Sequence, residues 1–96
     1  MEIQQRINGK HLKFFIEVDG NEVAKMVCTL ENDHLMTIDH TEVGGELKGQ
    51  GAGLLLVKAG VEYARKHHLK IIPYCEFARA MFEKKPELRD VLISDE

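Results

Sequence analysis

Apolar and polar residues alternate along the first half of the chain, then recur at intervals of three and four, and the change falls near residue 47. Three runs carry the period of two: Lys13–Val18 (KFFIEV), Glu22–Leu30 (EVAKMVCTL) and Leu35–Val43 (LMTIDHTEV). A strand places successive side chains on opposite faces, so each run predicts a strand. Asp19-Gly20-Asn21 and Glu31-Asn32-Asp33-His34 separate the runs. Separators this short join antiparallel neighbours, because a parallel return needs a crossover of about a dozen residues or more. Ile3–Ile7 adds an edge strand that turns through Asn8-Gly9-Lys10.

Beyond residue 47 the spacing predicts a helix from about Gly51 to His67, with Leu54, Leu55, Val57, Val61 and Ala64 on one face and Lys58, Glu62, Arg65 and Lys66 opposite. Lys58 with Glu62, and Glu62 with Lys66, add i,i+4 pairs. Lys70–Cys75 (KIIPYC) predicts a short apolar strand whose pairing fails near Pro73, which has no N–H to give. Glu76–Lys84 predicts a short second helix that ends before Pro86, leaving a tail to Glu96. A crossover through the long helix makes strand 71–75 parallel to strand 35–43.

Composition narrows the class. With 96 residues, 44% hydrophobic and 30% charged, the chain is read as one globular domain, 1–96, with one core. Thirteen basic and 16 acidic side chains leave a formal charge of −3, without the basic footprint of a nucleic-acid or anionic-membrane binder. The opening MEIQQRINGKHLKFF is charged throughout, unlike a secretory leader. No segment approaches the roughly 18 to 20 apolar residues that span a bilayer. Two cysteines, Cys28 and Cys75, suit a reducing compartment, so a cytoplasmic protein is expected. Cys28, inside VAKMVCTL, is expected in the core. His67 and His68 point about 100° apart on a helix and predict no metal clamp.

The strand-to-helix junction carries Gly49, Gly51 and Gly53 within ELKGQGAG (46–53). The first N–H groups of a helix lack acceptors and its dipole favours negative charge, so this junction is an anion site by construction. Gln50, Gly51, Ala52, Gly53 and Leu54 can direct N–H groups at one pyrophosphate. The competing explanation is a glycine turn that lets the helix pack closely on the sheet. Lys48, with Arg79, Lys84 and Lys85, could serve a small anionic ligand. No Gly-Lys-Ser or Gly-Lys-Thr follows, which excludes a Walker loop. A dinucleotide fingerprint would place its third glycine at 54 and needs several βαβ units, although Glu76 stands at a tolerable distance for a ribose contact.

Lys48-Gly49-Gln50-Gly51-Ala52-Gly53, preceded by His40-Thr41-Glu42-Val43 and followed by Ile72-Pro73-Tyr74-Cys75 and by Phe77 through Pro86, resembles the short, single-domain proteins of the GNAT superfamily of acyl-CoA N-acyltransferases. The likeness extends over residues 12–92, with Lys48 standing where the superfamily prefers Arg or Gln. It implies an α+β (mixed α/β) fold, a GNAT-like mainly antiparallel sheet whose strands 35–43 and 71–75 splay to admit the pantetheine arm of coenzyme A. One long helix follows the glycine loop and a short helix closes the chain. It also implies cofactor contacts at Val43, Lys48, Gly49, Gln50, Gly51, Ala52, Gly53, Leu54, Cys75, Phe77 and Phe82. The activity implied is transfer of an acetyl group from acetyl-CoA to an amine, on a small molecule or a protein, by a monomer or weak homodimer. The alternative is a non-catalytic module that binds CoA or acyl-CoA.

Catalytic candidates follow from the same resemblance. Where the wider superfamily carries a Tyr acid this chain has Phe82, which cannot protonate a leaving thiolate. Cys75 is the replacement candidate, since the short GNAT-like proteins carry a cysteine there; it can give a proton or take the acyl group, or only line the cofactor slot. An amine nucleophile also needs a base, and His40 and Glu42 are the candidates. Alternation puts His40 and Glu42 on one side of their strand and Asp39 and Thr41 on the other; a bulge at the splay would change those faces. The N–H on the strand ending near Val43 is a candidate oxyanion donor. Because strands begin almost at once, no N-terminal helices shape an acceptor pocket, and that site is expected to be open, shallow or completed by another molecule.

Overall fold

A computed structural model describes residues 1–93. Five strands form one sheet in chain order: β1 (Gln4–Asn8), β2 (His11–Val18), β3 (Asn21–Asn32), β4 (Leu35–Val43) and β5 (Lys70–Pro73). The first four make an antiparallel meander and β5 lies parallel to β4. Helix α1 (Ala52–His67) makes the crossover between β4 and β5, and α2 (Glu76–Lys84) follows β5. Asp19 and Gly20 turn β2 into β3 with φ of 52° and 81°, the left-handed pair that a two-residue hairpin demands.

One face of the sheet makes the core. Leu12, Cys28 and Ile38 stand opposite one another across β2, β3 and β4, all with 0% exposure, and pack in one cluster with Leu56, Val57 and Val61 of α1. The buried helix positions form two rows four residues apart, 52-56-60-64 and 53-57-61. This rotates the expected face: Leu56 is fully buried, whereas Leu54 and Leu55 sit half-buried at its margins. Gly60 belongs in the row because a Cβ there would stand 2.8 Å from the Met26 methyl carbon. Cys28 is in the core as expected, and burial holds its thiol well above the usual range.

Among the described residues the other face carries no helix, and charged side chains lie over part of it. Phe15 points to it yet is only 2% exposed, because Arg6 and Lys13 lie over its ring at 4.7 and 5.2 Å. Glu22 accepts from Lys13 at 2.7 Å and from Arg6 at 3.2 Å, and the Lys13 bond, with help from Arg6, lowers its carboxyl below the ordinary value.

The outer edge of β5 is closed by the chain itself. Ile71 O accepts the N–H of Ile93, Pro73 has no N–H, and Arg79 donates to the carbonyls of Pro73 and Tyr74. An edge so occupied cannot recruit another strand. The expected tail is ordered as far as the described residues run: Pro86–Val91 forms a 3₁₀ segment with Leu88 and Val91 buried. Arg65 of α1 forks onto Asp90 at 3.1 and 2.7 Å and also donates to Glu87 O, tying this segment to the helix. The Arg65 hydrogen bond draws the Asp90 carboxyl below its usual value.

Helices α1 and α2 meet at Gly53. A Cβ there would stand 2.3 Å from the tip of the Phe77 ring, so the ring lies where a side chain would be. Gly53→Ala gains roughly 0.5 kcal/mol of helix propensity but forces the ring aside, an overpacking that costs about 1–3 kcal/mol. The substitution is expected to destabilise the parent chain by about 1 kcal/mol and to stabilise a Phe77→Ala chain, both read by urea unfolding; stabilisation in both backgrounds would show that the ring yields freely. A second expectation concerns acid. A carboxyl whose folded pKa is depressed stabilises above its unfolded value of about 3.9 and loses that contribution as pH falls through the folded pKa. Asp90→Asn should therefore lower the Tm at pH 7 and make no difference at the acid end of a pH series.

Candidate functional site

Pairing between β4 and β5 stops at Ile38 and Pro73. The Ile38 carbonyl takes the N–H of Tyr74 at 3.0 Å and that of Cys75 at 3.2 Å, and beyond it β4 runs on for five residues with no β5 partner. This is the splay expected from Pro73. At the same point β4 is bulged: Cys28 pairs with Ile38 and Val27 with His40, leaving Asp39 unmatched. The extra residue reverses the alternation that follows.

Ile38 faces the core, and after the bulge Thr41 does so too, paired with the buried Met26. His40 and Glu42 face the helix-free side together, and their Nε2 and Oε2 atoms are 2.9 Å apart. Asp39 joins that side as well, accepting from Thr29 and Thr37, rather than lying opposite His40 as strict alternation placed it. The hydrogen bond from His40, with the charge of Lys25 adding to it, lowers the Glu42 carboxyl and keeps it ionised. Cys75 ends up with Thr41, not with His40 or Glu42: its thiol lies 3.5 Å from the Thr41 hydroxyl on the core side.

The three glycines of the loop have separate reasons. Gly49 and Gly51 adopt φ of 79° and 77°, and nothing lies within 4 Å of where their Cβ atoms would stand. They satisfy the backbone and leave open space above it. Gly53 instead admits Phe77, the close-packing role that competed with phosphate binding. The first bond within α1 runs from Leu55 N–H to Gly51 O at 3.1 Å. The N–H groups of Ala52, Gly53 and Leu54 precede it and have no acceptor in the helix. No acidic side chain stands in the first turn to answer the positive end of the dipole. Over these donors opens a cavity of about 320 Å³ whose walls include Val43, Lys48, Gly49, Gly51, Phe77 and Met81. Donors, open glycines and a lysine fit a pyrophosphate.

Two expected contacts stand elsewhere. The N–H of Gln50 is taken by Leu47 O at 3.2 Å and its side-chain amide by Glu46 O at 3.0 Å, so Gln50 closes the loop from within. Phe82 is 2% exposed and borders a different groove, with Ile71, Pro73 and Arg89. Met81, four residues after Phe77 and so on the same helix face, was legible as a cavity wall once Phe77 was placed. Thr41 was not, because its face depends on the bulge. His67 is stacked on Tyr63, with ring centroids 4.1 Å apart, and His68 takes the left-handed position after the helix end.

Comparison with known proteins agrees with this geometry. The family model for GCN5-related N-acetyl-transferases matches residues 13–91. The solution structure of a GCN5-like protein from Staphylococcus aureus is 42% identical, covers 99% of this chain and 90% of its own, and superposes with a TM-score of 0.76. Two more distant structures share the fold: a GNAT family acetyltransferase from Elizabethkingia anophelis with acetyl-CoA bound (TM-score 0.67, 12% identity, 88% of this chain and 73% of that one), and a ribosomal-protein-alanine N-acetyltransferase from Brucella melitensis biovar Abortus (0.67, 16%, 93% and 66%). A search of curated protein sequences returns no match. Because the family model takes in the glycine loop, both helices and four of the five strands in full or in large part, the chain belongs to the GCN5-related N-acetyltransferases and is an acetyltransferase of the acetyl-CoA-dependent kind.

Proposed function

We propose that this chain, a single minimal domain working in the cytoplasm as a monomer or weak homodimer, acetylates an amine presented at the helix-free side of the sheet, with Cys75, His40 and Glu42 carrying the chemistry. One observation carries the reading: the unpaired end of β4 has Val43 at the wall of the glycine-loop cavity and Thr41 against Cys75, so that cavity and the thiol both border the same strand end.

Acetyl-CoA supplies the acetyl group already activated as a thioester. The N–H groups of Ala52, Gly53 and Leu54, with Lys48, would hold its pyrophosphate, and the gap beyond Ile38 and Pro73 would take the pantetheine arm. Cys75 stands where that gap closes, able to give a proton to a leaving sulfur or to take the acetyl group in transit. On the opposite side, His40 donates one ring N–H to the ionised Glu42, which leaves the other nitrogen free to remove a proton from the attacking amine. Glu22, Glu42 and Glu46, set against Lys25, border a second cavity of about 360 Å³, whose net negative wall supports an amine as the acceptor. With no helices on that face, the acceptor site is open enough for a protein terminus or lysine as well as a small amine.

Acetyl-CoA at about 100 times its dissociation constant should add roughly 2.7 kcal/mol of apparent stability to the parent chain, and Gly51→Val, which strains a left-handed position and puts a side chain into the cavity, should abolish the Tm shift; no shift in the parent would sink the reading. In an assay against a panel of amines, His40→Ala should slow transfer by about 10²-fold or more. Cys75→Ala should remove transfer while keeping the melting shift, and transfer at the parental rate would show that the thiol only lines the gap.

A further inference from the structure

Asp39 and Thr41 are not used by the proposed chemistry, yet both are fixed by contacts that meet at the bulge. Both carboxylate oxygens of Asp39 are engaged, one by the Thr29 hydroxyl at 2.6 Å and the other by the Thr37 hydroxyl at 2.8 Å. Those threonines pair across β3 and β4, and Thr37 is 1% exposed. The extra residue of the bulge is thereby pinned to two strands. Its consequence is two positions on, where Thr41 turns to the core side and meets the Cys75 sulfur at 3.5 Å. Cys75 is held from its own side by its N–H bond to Ile38 O, the residue just before the bulge. Although Cys75 is the N-cap of α2, its side chain makes no capping bond, and among the described residues Thr41 provides its side-chain hydrogen bond.

We infer that Thr41 is a positioning residue for the Cys75 sulfur, held in register by the Asp39 clamp; the inference rests on the chemical role proposed for Cys75. A hydroxyl is both donor and acceptor and rotates to suit its partner. Thr41 accepts the thiol hydrogen while Cys75 is protonated. Once that proton has passed to a leaving sulfur or to a base, the same hydroxyl turns and donates to the thiolate. One contact therefore keeps the sulfur aimed in both states, and neither requires the backbone to move. Valine in place of Thr41 would keep the shape and lose both functions, whereas serine would keep both.

The test is the rate at which iodoacetamide alkylates Cys75 in the ligand-free protein, read by mass spectrometry of the peptide that contains it. Thr41→Val removes the hydroxyl that aims the sulfur and donates to it as it attacks, so this variant is expected to react about 3- to 5-fold more slowly than the parent. Thr41→Ser should fall within about twofold of the parent. Asp39→Ala, with Thr41 intact but the bulge released, should slow the reaction as Thr41→Val does, and it serves as the second probe if the valine variant fails to fold. Thr41→Val and Thr41→Ser should still show a melting shift with acetyl-CoA, because the cavity at the start of α1 does not include Thr41. Parental reactivity in Thr41→Val, or a serine variant as slow as the valine one, would overturn the inference while leaving the acetyltransferase reading in place. A parent with no acetyl-CoA shift would overturn that reading instead, and the alkylation rates would still decide the role of Thr41.

Discussion

Ile38 carries the last backbone contact between β4 and β5, its carbonyl shared by the N–H groups of Tyr74 and Cys75, while Pro73 opposite has no hydrogen to give. The rest of the site depends on that stop. Had β5 continued the ladder, the end of β4 would be sealed and no slot would lie beside Val43. Because the stop coincides with the bulge at Asp39, the strand also changes which residues it shows to each side. A parallel pair is normally buried on both faces and uninterrupted; here its interruption is the useful feature.

The glycine loop places a positive helix end at the mouth of the same gap. Two glycines take left-handed backbone, and a third lets Phe77 lie against the helix, so one short motif serves turn geometry, helix start and helix packing together. Of the two explanations that competed in the sequence, close packing belongs to Gly53, while Gly49 and Gly51 leave open the space that an anion would need. Phe77 ties them, since the ring that fills the space at Gly53 is also a wall of the cavity.

Most of the fold was legible because its signals are local. β4 and α2 end where the periodicity and Pro86 placed their limits, and the parallel β5 followed from crossover length. The helix face was misjudged by one residue at Leu56, because a leucine triplet gives no contrast and only packing against the strands selects the row. The 3₁₀ segment after Pro86 was missed because its order comes from the Arg65 fork, a contact 25 residues away in sequence. At the candidate site, the glycines and Lys48 stood out in the sequence by themselves, whereas Cys75 entered through the family resemblance. Thr41 did neither, since one bulged residue reverses every later side chain in the strand. Gln50 is an acceptable loop donor in the sequence, and its occupation by Leu47 and Glu46 appears only once the loop is folded.

The central claim is spatial: the cofactor lies between the start of α1 and the unpaired end of β4. Backbone amide NMR during titration with coenzyme A tests it most directly. The account predicts that the resonances of Gly51, Ala52, Gly53 and Leu54 move together with those of Thr41, Val43 and Cys75, while Gly9 and Asp33 at the far end of the sheet stay still. Shifts confined to the groove of Ile71, Phe82 and Arg89, with the glycine loop unmoved, would contradict it.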